Sequence, residues 1–478
     1  MLAGRQNDFL ANPKDGKGDV AERRIRRVMT RSMSEHLNAR LFVWFRILFN
    51  CRFYYPVFTI LFLDLGLSIG EFAALNVVWA LTSVALEVPS GALADRFGRK
   101  PLVVAAGALM VLEMLVLSVM PPGNHDVVLW LFVANRVLSG AAEACASGAD
   151  EALAYDSLPE RERALLWPKV MARLSRGMAL GFVVSSISGS IMYDAESLTK
   201  GLNFLGLDVV VAKEVAMKLP VLLCVGTGLA CLGVTLKMTE TWGPAPKSGF
   251  WQSVKEAWGA ILQTGGWMWS TRAAFALILM GVVFDSVIRL FLTVASNFYR
   301  MVGIAEVWYG VIGTGVSLLG LVTAGLMEKS AKVMTARQNF GWLAVAVFAG
   351  LMAAAHPAQG WLGIVLVVPL FMSMRFLQFF LSHYLNQIVT SGQRATALSF
   401  RGLTTNLAYG GITLLFGWQT GQVGGHLGLE ADDPRVFAAS LGYWPWWFLG
   451  TLTAALAWLA LRRYSSQSNE RTAETARH

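Results

Sequence analysis

Twelve apolar blocks, most of them about 20 residues long, run through this chain of 478 residues and leave few folds open to it. A helix of about 20 apolar residues crosses the roughly 30 Å of hydrocarbon in a membrane. Helices are favoured there because a helix satisfies its own backbone hydrogen bonds where no water can do so. The pattern predicts an all-α membrane protein with twelve transmembrane helices, called spans 1–12. The predicted spans are residues 41–64, 71–93, 101–120, 127–149, 169–193, 218–238, 272–296, 305–327, 338–356, 360–383, 399–420 and 444–463.

The low charge content excludes the main soluble classes of protein. Only 15% of the residues are charged and 55% are apolar, whereas a soluble globular protein is about 25% charged. A soluble enzyme, a nucleic-acid binder and a disordered scaffold are therefore excluded. The four cysteines lie inside apolar blocks, so we expect packing residues and no disulfide framework. The first 40 residues lack the apolar stretch that a cleavable signal peptide needs.

The distribution of lysine and arginine sets the expected orientation. If both termini are cytoplasmic, 27 of the 40 basic residues fall in cytoplasmic segments and five fall in outer loops. Cytoplasmic segments of membrane proteins carry such an excess, so we expect an N-in, C-in chain. The net charge of +9 then faces anionic lipid, and no nucleic-acid partner is expected.

The spans divide the chain into two six-helix halves, which we expect to be pseudo-symmetric. The expected segments are a basic N-terminal arm (1–40), an N-terminal half (41–240), a cytoplasmic linker (241–271), a C-terminal half (272–463) and a cytoplasmic tail (464–478). In the linker, apolar residues such as Trp251, Val254 and Trp258 recur near helical spacing. An amphipathic helix on the inner leaflet and a plain connecting helix explain this pattern equally well.

Residues 91–100, with the sequence GALADRFGRK, carry the most specific motif in the chain. They match G-x-x-x-D-R-x-G-R-[RK] at all six specified positions, between spans 2 and 3. We expect Gly91 to let another helix pack closely and Gly98 to permit a tight turn. With twelve spans and this motif, the chain resembles the major facilitator superfamily, which carries the signature in the same cytoplasmic loop. The resemblance covers about residues 41–463.

Around this motif we expect an inner gate, which closes the cytoplasmic side in one state of the protein. Asp95 lies at a helix end where the macrodipole disfavours an anion, so it needs a donor such as Arg401. The basic residues of the motif have candidate partners in the acidic cluster below span 4, which consists of Asp150, Glu151 and Asp156. Alternatively, they only set the topology. The expected gate residues are Gly91, Asp95, Arg96, Gly98, Arg99, Lys100, Asp150, Glu151 and Arg401.

Other segments are similar to the bacterial drug/proton antiporter branch of this superfamily. In span 4, Arg136 and Gly140 resemble an antiporter motif whose arginine is implicated in proton movement. Span 5 departs from the antiporter pattern, because Gly181 is followed by Phe182 and not by proline, which leaves the direction of transport open. The small residues of span 5 predict close helix packing. They are Gly177, Gly181, Ser185 and Gly189.

Several ionisable residues lie deep within the predicted spans, where a charge costs a few kcal/mol or more unless it has a partner or water. We expect one pathway for substrate and protons that contains Arg52, Arg136, Glu143, Asp285, Arg289 and Arg375. The four arginines and Asp285 should converge on one cavity, because the superfamily lines its central cavity with spans 1, 4, 7 and 10. Asp285 is the first candidate for the proton carrier and Glu143 is the second.

Two of these assignments have structural alternatives. The i,i+4 spacing of Asp285 and Arg289 equally permits a permanent salt bridge within span 7. Glu113 in span 3 is also deep, but we expect a structural pair there, because the superfamily uses this span peripherally. The excess of deep arginines over deep acids favours an anionic or zwitterionic substrate.

The resemblance implies a secondary active transporter that moves a small organic molecule by alternating access between its halves. We expect proton-coupled export; the alternatives are uptake or exchange of an organic anion and a non-transporting receptor of the same fold. The chain has no P-loop, G-x-S-x-G or H-E-x-x-H motif, and its six histidines are scattered. We therefore expect no enzyme activity, no cofactor and no metal site. The expected setting is a multi-pass monomer in the bacterial inner (plasma) membrane.

Overall fold

The computed structural model describes residues 37–475 except 122, 241–248, 390–393 and 431–432. Almost all of the predicted basic arm and the first part of the linker therefore lie outside the described residues. The side chains of residues 95, 321, 394–396 and 463–475 are not described either. Within the described part every regular element is a helix, which confirms the all-α prediction.

The N-terminal half contains six spans, and spans 1 and 4 are each made of two consecutive helices. The bounds are Leu37–Asn50 with Phe58–Asp64 (span 1), Ile69–Phe97 (span 2), Arg99–Ser118 (span 3), His125–Ala146 with Ala149–Asp156 (span 4), Arg163–Tyr193 (span 5) and Lys218–Leu236 (span 6). Two short helices, Ala195–Phe204 and Lys213–Ala216, lie in the loop after span 5.

The C-terminal half also contains six spans, and a linker helix, Phe250–Ser270, precedes them. The bounds are Arg272–Met301 (span 7), Tyr309–Val333 (span 8), Ala336–Ala355 (span 9), Trp361–Ile388 (span 10), Arg394–Leu427 (span 11) and Trp444–Thr475 (span 12). A short helix, Pro434–Leu441, lies between spans 11 and 12. Each of the twelve predicted spans thus has a helix at its place in the structure.

Ten of the described spans are long and apolar enough to cross a membrane, and span 8 is an eleventh if its two parts, which meet at 40°, form one span. Span 11 is less apolar, because Thr404, Thr405 and Asn406 interrupt it. It is nevertheless 34 residues long and packs against spans 2 and 7. We call the face that holds the start of span 1 and the end of span 12 the inner face, following the predicted orientation, and the opposite face the outer face.

The contacts between helices repeat from one half to the other. Span 3 packs against spans 4 and 6, and its counterpart, span 9, packs against spans 10 and 12. Between the halves, span 2 packs against span 11 and span 8 packs against span 5. Span 2 corresponds to span 8, and span 5 corresponds to span 11. The symmetry between the halves therefore converts one of these interfaces into the other. Two pseudo-symmetric halves produce such a repeat, and the halves of this chain meet along these interfaces.

Span 1 is interrupted at Arg52, which a single apolar block does not reveal. The first helix ends at Asn50 and the chain resumes through a short 3-10 turn that contains Pro56. Proline lacks a backbone donor and disfavours helical geometry in the preceding residue, so Pro56 accounts for the break. Backbone freed at membrane depth needs partners inside the protein. The Arg52 amide donates to the Asn50 carbonyl at 2.8 Å, and the Phe53 amide donates to Sγ of Cys224 at 3.1 Å.

The small residues of span 5 bring this span close to span 1, as predicted. A Cβ added at Gly181 would lie 2.8 Å from Sγ of Cys51, and one at Gly189 would overlap the carbonyl oxygen of Phe53. Span 5 therefore packs directly against the break in span 1. The cysteines are free, which agrees with their prediction as packing residues.

The linker helix, Phe250–Ser270, lies against span 11, because Gly265 leaves room for the ring of Phe400. Other apolar residues of the helix do not face the protein: Trp251 is 79% exposed and Leu262 is 66% exposed. Exposed large apolar side chains next to a membrane protein favour the interpretation as an amphipathic helix on lipid over that as a plain connector.

The substitution Gly189→Ala should lower the stability of the protein, because the new Cβ has no room beside the backbone of Phe53. Overpacking of this kind costs about 1–3 kcal/mol. The matched control is Gly226→Ala in span 6, where a Cβ meets nothing within 4 Å. Thermal unfolding in detergent should give a lower Tm for Gly189→Ala only. Equal Tm values for the two variants would contradict the packing of spans 1 and 5.

Candidate functional site

Glu113 of span 3 is the centre of a buried network of charges in the N-terminal half. Its side chain is fully buried, and Oε2 lies 2.7 Å from Nη1 of Arg52. Nη2 of Arg136 lies 3.8 Å from Oε1. Asn135 joins the two residues: its Oδ1 accepts hydrogen bonds from Nε and Nη2 of Arg136 at 3.0 and 2.6 Å, and its Nδ2 donates to the Glu113 carbonyl at 2.9 Å. We call Arg52, Glu113, Asn135 and Arg136 the N-terminal charge network.

Aromatic rings surround the arginines of this network. The guanidinium carbon of Arg136 lies 5.5 Å from the ring centre of Phe58 and 5.3 Å from that of Phe62, within the range of cation–π attraction. With two arginines and one acid, the network holds one excess positive charge. The structural pair expected at Glu113 is therefore present, and its partners are two of the predicted pathway residues, Arg52 and Arg136.

Asp285 and Arg289 of span 7 form the ion pair that their spacing permits, with Nη2 2.7 Å from Oδ2. Asp285 is fully buried, and its Oδ1 accepts a hydrogen bond from Nε2 of Gln378 at 3.3 Å. Nη1 of Arg289 donates to Oδ1 of Asn406 at 2.8 Å, and the guanidinium lies 5.4 Å from the ring centre of Tyr409. Because spans 10 and 11 supply these partners, the pair is not a bridge contained within one helix.

Arg401 of span 11 belongs to the same region. The charges that act on it are those of Asp285 and Arg289, and its Nη1 is buried with no hydrogen-bond partner among the described residues. We call Asp285, Arg289 and Arg401 the C-terminal charge network; it also has two arginines and one acid. The sequence places Arg401 in the inner gate beside Asp95. The Asp95 side chain is outside the described residues, and the structure puts Arg401 near Asp285.

Tyr409 of span 11 lies between the two charge networks. Its hydroxyl lies 3.0 Å from Oγ1 of Thr293 on span 7. The charges of Arg289 and of Arg136, one from each network, both act on it. Tyr409 thus connects span 11 to span 7 at the boundary between the halves, beside Arg289.

A cavity of about 400 Å³ lies between the halves, and we call it the central cavity. Spans 1 and 5 line it from the N-terminal half, and spans 7, 8 and 10 line it from the C-terminal half. Among its described lining residues, Arg375 is the one that carries a charge, and Nη2 of Arg375 donates to Oγ of Ser317 at 3.3 Å. Cavities of about 520 and 750 Å³ lie within the C-terminal half alone. Since only a cavity between the halves changes its access when they move, the central cavity is the candidate site.

The structure distributes the predicted pathway residues over three places instead of bringing them into one cavity. Arg52 and Arg136 lie in the N-terminal network, Asp285 and Arg289 lie in the C-terminal network, and Arg375 lines the central cavity. The physical reason is local pairing: Arg52 and Arg289 each have a buried acid of their own half as partner, Glu113 and Asp285 respectively. The roles of these residues in transport remain predictions.

Glu143 of span 4, the second candidate for the proton carrier, is exposed. It forms no ion pair with a described basic residue. Its charge acts on Glu87 of span 2, which is partly buried. Like charges this close repel each other, and the uptake of one proton by either acid would remove the repulsion. Because of this neighbouring acid, Glu143 stays a candidate for the proton carrier.

At the inner face, the GALADRFGRK motif forms the turn between spans 2 and 3. Gly98 has a φ of 94°, in the left-handed region that favours glycine. Arg99 pairs with Asp156 at the end of span 4, and Nη1 of Arg163 lies 3.8 Å from the same carboxylate. Of the acidic cluster below span 4, Asp156 is thus the residue that pairs with the motif.

Glu240, which follows span 6, completes this turn although the motif does not include it. Its Oε2 accepts a hydrogen bond at 2.8 Å from the backbone N–H of Lys100, one of the donors that the first turn of a helix leaves unsatisfied. Its side chain fills the place where a Cβ on Gly98 would lie. Gly98 is thus required for its backbone angle and for this contact. Because Glu240 lies about 140 residues after the motif, the local sequence does not indicate this contact.

Other expectations for the inner gate differ from the structure. A Cβ at Gly91 would meet nothing within 4 Å, so the prediction of close helix packing there is wrong. Gly91 itself is exposed on span 2. Asp150 accepts a hydrogen bond at 2.9 Å from Nη2 of Arg46, a residue to which the sequence gave no role. Arg96 and Glu151 are exposed.

Four charged residues form an ion cluster between the halves at the outer face. Arg300, at the end of span 7, donates hydrogen bonds to both carboxylate oxygens of Asp64, at the end of span 1, at 2.6 and 2.7 Å. It also donates to Glu306 at 2.8 Å, and Lys213 pairs with the same acid. Asp64 and Lys213 belong to the N-terminal half, whereas Arg300 and Glu306 belong to the C-terminal half. We call these four residues the outer ion cluster.

Two neighbouring hydrogen bonds reinforce this cluster, the first within the N-terminal half and the second between the halves. The hydroxyl of Tyr193 donates to Asp64 at 2.6 Å, and the backbone N–H of Val307 donates to Asp194 at 3.1 Å. The outer side of the protein is therefore closed. The inner-face ion pairs of Asp150 and Asp156, in contrast, join elements of the N-terminal half only.

The outer ion cluster is not predicted by the sequence. Lys213 and Arg300 are two of the five basic residues in the predicted outer loops, where basic residues are scarce. Because basic residues are scarce there and the acids Asp64 and Glu306 lie at span ends on the same side, the sequence could have indicated ion pairs at the outer face. The pairing across the two halves, however, depends on contacts that only the fold defines.

The chain matches the family model of the Major Facilitator Superfamily over residues 41–413. The tetracycline resistance protein of class G from Vibrio anguillarum is 30% identical over 140 residues. These residues are 28% of this chain and 34% of that protein, so the match spans about a third of the relative's length.

Several solved transporters have the same fold. A mutant of the nucleoside transporter NupG is 12% identical, with a TM-score of 0.62 over 88% of this chain and 99% of its own. A bacterial homologue of the human lysosomal transporter Spinster is 16% identical, with a TM-score of 0.61 over 90% of this chain and 95% of its own. The D-xylose-proton symporter is 13% identical, with a TM-score of 0.58 over 87% of this chain and 96% of its own.

The substitution Arg300→Gln should open the outer side more often, because it removes three charged hydrogen bonds of the outer ion cluster. Ser317 lines the central cavity, so a thiol introduced by Ser317→Cys reports access to it. With Cys51 and Cys145 replaced by serine, a membrane-impermeant maleimide added at the outer face should label this thiol several-fold faster in the Arg300→Gln variant.

The control for this labelling is Arg435→Gln. Arg435 pairs with Asp433, which lies in the same half, so this ion pair does not connect the two halves. Its labelling rate should equal that of the unchanged chain. Equal rates for Arg300→Gln and Arg435→Gln would show that the outer ion cluster does not hold the halves closed.

Proposed function

The chain belongs to the Major Facilitator Superfamily, and we propose that it is a secondary active transporter that exports a small organic molecule in exchange for protons. The observation that carries this proposal is the central cavity, which both halves line and which lies between them while the outer ion cluster ties the halves together. A cavity between two bodies that rock against each other can be exposed to each side in turn. A transporter needs such access, whereas a scaffold or receptor does not.

The coupling to protons and the outward direction draw support from relatives. The D-xylose-proton symporter shares the fold and is named for its use of protons. The partial relative from Vibrio anguillarum is named for resistance to tetracycline, and removal of a drug from the cell is one route to resistance. Neither similarity reaches the substrate of this chain, so both enter only as support for the class of transport.

Asp285 is the proposed proton carrier. It is buried and faces two arginines, Arg289 as an ion-pair partner and Arg401 as a further positive charge. Span 7 also contacts the N-terminal half, because the hydroxyl of Thr59 donates to the carbonyl of Thr293 at 2.5 Å. Protonation of Asp285 would leave both arginines without an acid, a state that a bound anion or a rearrangement of the helices would relieve. The proton and the conformation are then coupled at one place.

A permanent Asp285–Arg289 bridge is the structural alternative to this carrier. If the pair only supports the fold, removal of either charge should cause misfolding, and removal of both should partly rescue it. The partners on spans 10 and 11 favour the carrier, because a bridge with contacts on three spans responds when those spans move relative to one another.

Uptake or exchange of an organic anion is a second candidate function, and one observation favours it. Each charge network contains two arginines and one acid, and Arg375 in the central cavity adds a further positive charge. An excess of positive charge next to the boundary between the halves suits a negatively charged substrate.

The setting of this activity follows from the fold and the orientation. The chain is a multi-pass membrane protein with the fold of solved transporters. We place it N-in, C-in in a bacterial inner membrane, since the excess of basic residues lies on the inner face and the partial relative is bacterial. The motif residues Asp95 and Arg99 would then belong to an inner gate that closes when the outer side opens.

The substitution Asp285→Asn should abolish transport driven by a pH gradient and preserve counterflow exchange of substrate, because the amide cannot carry the proton. The measurement is flux in proteoliposomes, first in a screen of organic compounds with and without a pH gradient, then on the variant. Asp126→Asn is the control, since that side chain is 93% exposed. If a folded Asp285→Asn protein transports substrate under a pH gradient at the rate of the unchanged chain, Asp285 is excluded as the carrier.

A further inference from the structure

The wall of the central cavity is rich in aromatic side chains. The cavity volume of about 400 Å³ lies in the range of small-molecule sites. Six aromatic rings come from five different spans and from both halves. They are Tyr55, Phe58, Phe182, Tyr299, Tyr309 and Phe371. Such rings offer flat apolar faces and edges, which favour stacked or edge-to-face contacts with another ring.

Arg375 is the polar anchor of this cavity. Its one hydrogen bond among the described residues is to the hydroxyl of Ser317 at 3.3 Å, which leaves most of its five donors free. It forms no ion pair with a described carboxylate, and the described lining of the cavity contains no acid. Arg52 and Arg289, in contrast, each have a buried acid as partner. A charge within a membrane span normally has a partner or faces water, so Arg375 suits an anionic ligand.

Gly320 of span 8 gives the Arg375 side chain its place. A Cβ added at Gly320 would lie 2.5 Å from Nε and 2.6 Å from Cδ of Arg375. The arginine therefore lies flat against span 8, next to Ser317 on the same helix. A larger residue at this glycine would displace the guanidinium without removing its charge.

Two of the cavity's hydroxyl groups already have partners within the protein. The hydroxyl of Ser296 already accepts hydrogen bonds from the backbone N–H groups of Thr59 and Ile60, at 3.1 and 3.3 Å. The hydroxyl of Thr293 bonds to the Arg289 carbonyl at 2.8 Å and lies 3.0 Å from the Tyr409 hydroxyl.

We infer that the central cavity binds aromatic organic anions, with Arg375 paired to the acid group and the ring held among the aromatic side chains. The planar guanidinium can donate two parallel hydrogen bonds to a carboxylate. The inference rests on the proposed function, since it names the substrate class of the proposed transporter. It also distinguishes classes of compound: a cation would meet the positive charge of Arg375, and an aliphatic anion would lack the ring contacts.

Four small probes of similar size test the two parts of this inference. They are benzoate, cyclohexanecarboxylate, benzyl alcohol and benzylamine, titrated by calorimetry into the purified full chain in detergent. Benzoate should bind about ten- to hundredfold more tightly than benzyl alcohol, because hydrogen bonds to a charged group are strong. It should also bind more tightly than cyclohexanecarboxylate and benzylamine. Binding of benzylamine or benzyl alcohol as tight as that of benzoate would overturn the inference.

Variants of Arg375 locate the binding. Arg375→Gln should weaken benzoate binding by about tenfold or more, and Arg375→Lys should restore part of the loss. Gly320→Ala should weaken it too, although the charge remains, because it displaces the side chain. Arg435→Gln, on the exposed outer surface, should leave it unchanged. Unchanged benzoate binding in a folded Arg375→Gln protein would contradict the assignment.

Flux measurements separate the failure of this inference from the failure of the proposed function. Benzoate binding that depends on Arg375, without flux of any compound in proteoliposomes, would refute transport and keep the binding site. Flux of a cationic or neutral drug by a protein that does not bind benzoate would keep transport and refute the substrate class. Flux of aromatic carboxylates that Arg375→Gln abolishes would support both.

Discussion

The free-energy cost of an unpaired charge in hydrocarbon is the constraint on which this structure depends. An ionisable side chain in a membrane span costs at least a few kcal/mol unless a partner or water compensates it. In each half one buried acid, Glu113 or Asp285, meets this cost by pairing with arginines from its own half. Each half can therefore move as one unit without breaking its own charge network. Arg375 has no such acid among the described residues, and it lies where the two halves leave a cavity between them.

The contacts within the halves differ in strength from the contacts between them. Removing one partner of a fully buried ion pair costs about 3–5 kcal/mol, because the other charge stays buried alone. Exposed pairs contribute only about 0–1 kcal/mol each. The side chains of the outer ion cluster are 18–36% exposed, so they lie between these limits and close to the exposed one. Contacts of that strength can open and close on a functional timescale while the buried networks persist, as alternating access requires.

The sequence predicted what depends on composition and local pattern, and it failed where contacts between distant segments decide. Twelve spans, the packing of span 5 through Gly181 and Gly189, and the turn at Gly98 all follow from residue type and spacing. The partner of Gly98 is Glu240, and no local pattern joins a residue after span 6 to a turn after span 2. Likewise, the depth of Arg375 in its span predicted a functional residue. The packing of the helices, however, decides which of the deep arginines has no acid as partner among the described residues.

Distances between spin labels in the membrane-embedded protein test alternating access most directly. One labelled pair replaces Lys200 and Arg435, exposed residues in outer loops of the two halves; the other replaces Arg161 and Lys332, exposed on the inner face. Alternating access predicts two populations for each pair, shifted by pH in opposite directions: where the outer distance lengthens, the inner one shortens. A single distance for both pairs at every pH, or a change of both in the same direction, would contradict it.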